Sequence, residues 1–274
     1  APMAPLPSMM AGAAGSAPAA TGPTPKLPAI VGACPEFKDG TTIMVAGHKS
    51  ILIRAGAPNK GGALLFYWHG TGSSASESTR FPAIAEIVDA GGIVAAFNGS
   101  GSAKADADCS GTDAHNSADF KAADQIAACA VEKHGIDPRR IYSTGCSSGA
   151  LQSGCMAELR SSYIAAVATN SGGLNDQPRK FDWQDEHTPA VLTMHGGDTD
   201  MVILSFSQTS ALLDMRAKEH GSYVVNCNHG GGHCQAPAEL QRAAWQFMQD
   251  HPFGGESPWK SGFPAGIPAY CKAY

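Results

Sequence analysis

Two patterns of apolar residues take turns along this chain. The first is the short unbroken run: "ALLFYWHG", "IVAAFN", "RIYSTG", "IAAVATNSGG", "AVLTMHGGDTD" and "YVVNCN" are apolar or β-prone stretches, most of them closing in glycine or a polar turn. Runs of that length, bounded by turn residues, predict strands, and the fully apolar ones predict strands buried on both faces. The second is the helical stripe. "ESTRFPAIAEIVDAGG", "SADFKAADQIAACAVEKHGID", "SFSQTSALLDMRAKEHG" and "APAELQRAAWQFMQDHP" carry apolar residues at steps of three and four. The clearest helix has a serine at its N-cap and Gly135 at its end. Upstream, "TTIMVAG" and "SILIRAG" predict a β-hairpin. Strands and helices alternate from about residue 63 to about residue 250, which predicts an α/β fold: a mostly parallel sheet with helices on both faces. No internal repeat and no insertion long enough for a large lid domain is visible.

The first thirty residues, "APMAPLPSMMAGAAGSAPAATGPTPKLPAI", follow neither pattern. They are rich in Pro, Ala and Gly and nearly uncharged, so residues 1–30 are expected to form a flexible tether ahead of one domain over 31–274. The sequence starts without Met and without a basic, apolar leader, and the expectation is that a signal peptide was removed or omitted. Charge narrows the partners. The formal net charge is −5 and no basic cluster stands out, so nucleic acid and anionic membrane surfaces are poor partners. No run of about 18 apolar residues exists, so no membrane span is expected. Eight cysteines suggest metal or redox chemistry in a cytosolic enzyme and disulfides in an exported one. Together with the tether they favour a secreted protein, expected as a monomer.

In a sheet of this kind, function collects at the carboxyl ends of the strands, and four candidate features fall there. Gly145-Cys146-Ser147-Ser148-Gly149 fits G-x-S-x-G at a strand-to-helix corner, a turn so tight that its flanks need small residues and its central serine is held up with an exposed hydroxyl. "FYWHGTGSS" follows an early strand; the N–H of Thr71, or that of Gly70, is a candidate to pair with the N–H of Ser148 as an oxyanion hole. "MHGGDTDMVI" offers Asp198 and Asp200 as the acid that orients a histidine. Asp200 is preferred because Met201, Val202 and Ile203 after it are expected to anchor the loop; His195 there reads as a packed, hydrogen-bonded residue. "NCNHGGGHCQAP" places His229 and His233 on a Gly-rich loop before the last helix. His233 is the better general base, next to the helix start, and His229 reads as a surface or supporting residue. The order Ser147, Asp200, His233 is that expected of α/β-hydrolases and differs from the orders of the two protease classes.

On "WHGTG", "GCSSGA", "HGGDTD" and "GGGH", over about residues 60 to 250, the chain resembles secreted α/β-hydrolase esterases of the group holding polyhydroxybutyrate depolymerases and feruloyl esterases. Cys146 precedes the serine and Cys234 follows the histidine. This is similar to the CS-D-HC arrangement of tannases and fungal feruloyl esterases, and that resemblance implies a Cys146–Cys234 disulfide bracing serine and histidine. The chain departs from tannases in lacking their large lid. It also departs from the common HGTxD acid motif, because Thr199 stands where that motif puts its aspartate. The rival arrangements are a Cys227–Cys234 pair within one loop and a free, buried Cys146. For the remaining cysteines, Cys34–Cys271 and Cys109–Cys155 are the expected pairs.

The resemblance implies a secreted serine esterase acting on an extracellular polymer or ester: a polyhydroxyalkanoate or synthetic polyester, an oxidised polymer, or alternatively a feruloyl- or acetyl-type ester of a carbohydrate. Such chemistry needs no metal and no organic cofactor. Two readings of other classes compete. Cys227, His229, His233 and Cys234 are zinc-ligand types within eight residues, but adjacent His233 and Cys234 fit one tetrahedral ion poorly. A non-catalytic polymer- or sugar-binding module would use Trp68, Trp183 and Trp259 as stacking platforms, against which stands ordinary core packing.

Overall fold

The computed structural model describes residues 22–98, 118–175 and 187–274. A nine-stranded sheet runs in the order β1-β2-β4-β3-β5-β6-β7-β8-β9. The hairpin β1 (Thr41–Val45) and β2 (His48–Ala55) supplies one antiparallel flank. Strands β3 (Leu64–Trp68), β4 (Ile93–Phe97), β5 (Ile141–Cys146), β6 (Ala166–Asn170), β7 (Ala190–His195) and β8 (Val224–Asn228) are parallel. The three-residue β9 (Cys271–Ala273), antiparallel to β8, closes the other edge. Nothing in the chain's patterning announces so short a strand.

The unbroken apolar runs become strands because both faces of the sheet are covered. Along β3, Leu64, Phe66 and Trp68 enter one core while Leu65 and Tyr67 enter the other, the period of two that a pleated strand imposes. The first core is covered by α2 (Ala118–Cys129), α3 (Ser148–Leu159) and α4 (Phe206–Glu219). The second is covered by α1 (Ile84–Asp89) and α5 (Ala238–Asp250), which contribute Ile87, Leu240, Trp245, Phe247 and Met248. The helix pattern predicted ahead of β4 is split: a 3-10 turn over Ala75–Arg80, then the short α1. After α2 the chain continues as a π turn, Ala130–His134, and stops at Gly135, whose φ of 74° ends the helix. The serine expected to cap α2, the polar loop before it and Trp183 lie outside the described residues.

Trp68 and Trp259 are core residues rather than platforms. Trp68 stacks on Phe97 and donates to Ser143 Oγ at 3.0 Å; Trp259 donates to Asp250 Oδ2 at 2.9 Å. Of the expected tether, residues 1–21 lie outside the described residues. Residues 22–31 lie against the domain: Arg139 donates to the carbonyls of Gly22 and Pro23, and the Val31 N–H bonds Gln125 Oε1 at 2.8 Å. That last contact runs the N-terminal segment along α2, and it is why Cys34 bonds Cys129 and not the expected Cys271. Cys271 lies opposite Cys227 in the β8–β9 register and bonds it. Cys155 is also disulfide-bonded, and the expected Cys109 partner lies outside the described residues.

One buried group makes stability depend on pH. Asp214, on the inner face of α4, accepts from Thr193 Oγ1 at 2.9 Å and from Asn226 Nδ2 at 2.8 Å. Burial pushes its carboxyl up to about 7, against the pull of those two hydrogen bonds. In the unfolded chain it titrates near ~3.9. The folded form therefore holds its proton to higher pH, and the stabilisation is complete below about pH 4 and lost as pH rises through about 7. Asp214→Asn is expected to raise Tm at about pH 8 and to leave it nearly unchanged at about pH 4. Equal shifts at both would dissociate the effect from the buried charge.

Candidate active site

The elbow is built by close approach. A Cβ on Gly149 would collide with the backbone carbonyl of Trp68 in the neighbouring strand, and one on Gly145 with the same carbonyl and the backbone of Gly149. Only glycine fits either place, so β5 can turn into α3 within one residue. That residue, Ser147, sits at φ 58° and ψ −122°, as the N-cap of α3. Its N–H donates to Asn170 O and its carbonyl accepts from Leu151 N, both at 3.0 Å; its hydroxyl has no partner among the described residues. The "HGTG" turn abuts the elbow: a Cβ on Gly70 would be 3.4 Å from Ser147 Cβ.

Two residues of that turn separate in role. The Gly70 N–H is taken by the Glu77 carboxylate, at 3.2 and 3.3 Å to its two oxygens, and Tyr67 Oη donates to the same group at 3.2 Å. Gly70 is thereby removed as an oxyanion donor. Thr71 is exposed, and its Oγ1 donates to Ser148 Oγ at 3.0 Å, which brings together the two residues whose N–H groups are the expected oxyanion donors. The Ser148 N–H belongs to the first turn of α3, where amides lack intrahelical acceptors.

Asp200 is fully buried, and its carboxylate is surrounded by donors. Oδ2 accepts from Ser171 Oγ at 2.7 Å and from the Gly196 N–H at 3.0 Å; Oδ1 lies 2.8 Å from His233 Nδ1. This arrangement puts the imidazole proton on Nδ1 and leaves Nε2 free to accept one. The Phe206 ring lies over the imidazole, centroids 4.3 Å apart. Asp198 is exposed on the same loop. The expected anchoring of the loop by Met201, Val202 and Ile203 is not what holds it. Those side chains are exposed, because a tight reversal closed by a Met201–Ser205 bridge turns them outward. The hydrogen bonds to Asp200, and its carbonyl accepting from Phe206 N at 2.9 Å, fix the loop instead.

Cys146 and Cys234 are joined by a disulfide, with Cα atoms 5.8 Å apart across 88 residues. With Cys227 bonded to Cys271, neither sulfur of the four-residue zinc reading is free to bind a metal. His195 is packed: Nδ1 accepts from the Gly197 N–H at 3.1 Å and Nε2 lies 3.2 Å from Asn226 Oδ1. His229 Nδ1 accepts from the Gly231 N–H at 3.1 Å. Burial lowers the pKa of both rings.

Ser171 is the residue that sequence reasoning passed over. It donates to Asp200 and accepts the Cys234 N–H at 2.8 Å, so one buried hydroxyl links the acid loop to the histidine loop. Ser147, Ser171 and Cys234 are three of the five non-glycine residues with positive φ among those described. Such conformations cost on the order of 1–3 kcal/mol each and persist where surrounding structure fixes them. A serine in "NSGG" carries no pattern that marks it.

No protein-family model and no curated protein sequence matches the chain. Solved structures do. The native crystal structure of pOPH is similar over 88% of this chain and 96% of that one, at 18% identity and a TM-score of 0.62. Acetyl xylan esterase from Aspergillus awamori matches over 76% of this chain and 98% of its own, at 13% identity and a TM-score of 0.57. The Bacillus cereus carboxylesterase matches over 72% and 92%, at 18% identity and a TM-score of 0.54. Likeness at such identities speaks to architecture alone, and together with the sheet order and the two covered faces it identifies the fold: this is an α/β-hydrolase fold without a large lid among the described residues.

Proposed function

We propose that the chain is a serine hydrolase of carboxylic esters, with one catalytic domain over 31–274. The observation that carries this reading is the pairing of buried Asp200 with half-buried His233, disulfide-linked through the next residue to an elbow that displays Ser147. Ser147 Oγ attacks the ester carbonyl while His233 Nε2 takes its proton. Asp200 holds the tautomer and stabilises the imidazolium, and the Thr71 and Ser148 N–H groups receive the oxyanion. The tetrahedral species collapses, the alcohol leaves with the proton from His233, and water hydrolyses the acyl-enzyme by the same route. Each oxyanion donor contributes about 3 kcal/mol to such barriers. Ser147 Oγ and His233 are not hydrogen-bonded to each other among the described residues; this contact would form with substrate bound, as it often does in such enzymes. An active-serine phosphonate tests the assignment: one adduct on Ser147 is expected, and an unlabelled protein would point to a binding module.

The favoured substrate is an extracellular polyester such as a polyhydroxyalkanoate, supported by the absence of a large lid over the described site. The disulfides support an oxidising compartment and hence export. A second reading, removal of acetyl or feruloyl groups from a carbohydrate, draws on the likeness to the acetyl xylan esterase. Relative rates on polyhydroxybutyrate, an aromatic polyester, methyl ferulate and short p-nitrophenyl esters separate the two.

The Cys146–Cys234 bridge acts on position more than on fold in this scheme. It closes a loop of 88 residues, for which chain entropy gives about 4 kcal/mol. Mild reduction is expected to lower ester hydrolysis before far-UV circular dichroism changes, because the His233 loop would loosen first. Simultaneous loss of both signals would make the bridge a purely structural one.

A further inference from the structure

Beside the Asp200–His233 pair lies a surface that the chemistry above does not use. Met201, Val202 and Ile203 are 61%, 63% and 93% exposed, and Leu204 follows at 37%. Four consecutive apolar side chains facing water are costly unless something covers them. They are not a frayed end: the Met201–Ser205 bridge and the Val202 N–H to Leu204 carbonyl bond, 3.3 Å, hold the reversal. The strip continues along α4, where Gln208, Ala211 and Met215 are exposed at helical spacing. From Met201 to Leu213 the chain has no charged residue at all.

We propose that this strip adsorbs the protein onto the surface of a water-insoluble aliphatic polyester. This rests on the ester-hydrolase reading above and adds to it the physical state of the substrate and the residues that meet it. The occupant follows from placement. The strip begins at the residue after Asp200, and its base, Phe206, rests on the His233 ring. A protein partner seated there would cover the candidate catalytic residues, whereas a substrate surface seated there would present them with ester. Its chemistry excludes a polysaccharide as the better fit, because sugar platforms use exposed aromatic rings and polar side chains, and the exposed strip carries neither an aromatic nor a charge. An aliphatic chain with isolated ester groups matches aliphatic side chains without charge.

The test uses depletion of protein from solution by polyhydroxybutyrate powder, cellulose powder and phosphatidylcholine vesicles. The Ser147→Ala protein is used for adsorption, so that binding is read without turnover. Its double variant Val202→Ser with Ile203→Ser is expected to adsorb to polyhydroxybutyrate about tenfold more weakly, the loss of about 1.4 kcal/mol. In the active background the same pair is expected to slow polyester-film hydrolysis to a similar degree while kcat/KM on soluble p-nitrophenyl butyrate stays within about twofold. Unchanged adsorption, an equal loss on the soluble ester, or tighter binding to cellulose or vesicles than to polyester would each overturn the proposal. An active-background protein inert on every ester would instead remove the hydrolase reading, and adsorption by the Ser147→Ala protein would still report on the strip.

Discussion

Ser147→Ala is expected to abolish ester hydrolysis, with kcat falling by about 10⁶-fold, the scale seen when a serine hydrolase loses its nucleophile. The fold should be indifferent. The lost hydroxyl has no partner among the described residues, so its removal orphans nothing, and the backbone bonds to Asn170 and Leu151 stay in place. The strained φ of 58° is a property of the turn, which alanine inherits. Tm is therefore expected within about a degree or two of the parent, since changes away from buried partners usually stay within ~0.5 kcal/mol. Near-parental turnover in a folded variant would remove Ser147 from the mechanism. Ser148→Ala should be far milder, because that residue is proposed to act through its N–H.

Asp200→Asn is expected to lower kcat by about 10⁴-fold, as in the analogous protease change. The reason is visible in the three donors around the carboxylate: Ser171 Oγ, the Gly196 N–H and His233 Nδ1. An amide has one oxygen. If that oxygen keeps Ser171 and Gly196, its NH2 faces His233 and forces the proton onto Nε2, the nitrogen that must be bare to take a proton from Ser147. The reverse orientation places the amide against the Gly196 N–H and costs stability, about 1–3 kcal/mol for a buried unsatisfied group. Asp198→Asn, on an exposed side chain, should leave kcat within about threefold. A large loss there, with Asp200→Asn active, would transfer the acid role to Asp198.

What the sequence revealed of this architecture divides by range of interaction. Strands β3 to β8 were legible because burial on both faces demands unbroken apolar runs, and the elbow because the approach of Trp68 admits only glycine at positions 145 and 149. The antiparallel β9 is illegible because three residues hold no period. The apolar run after Asp200 favours it over Asp198 in the sequence, but a different interaction holds the loop in the structure. Apolar neighbours were expected to bury themselves and pin the loop, yet Ile203 is 93% exposed and hydrogen bonds do the pinning. The partner of Cys34 is illegible in sequence because pairing depends on where a terminal segment docks, here along α2, and docking of an irregular segment leaves no trace in hydrophobic order. Ser171 was silent for the same reason: its partners, Asp200 and Cys234, are 29 and 63 residues away.

The short β9 has a consequence for how the molecule behaves in company. A sheet that ended at β8 would leave a five-residue parallel strand, Val224–Asn228, with one row of amides and carbonyls unpaired. Such a border is a template for another chain's strand, and proteins guard against it with short or covered edges. Here Cys271–Ala273 pair alongside it, and the Cys227–Cys271 bond rivets them down. The rivet thus keeps covered the border through which one molecule would meet another. With Cys227 and Cys271 reduced, β9 is held to β8 by its backbone hydrogen bonds alone, and fraying there uncovers a border open to another copy's strand.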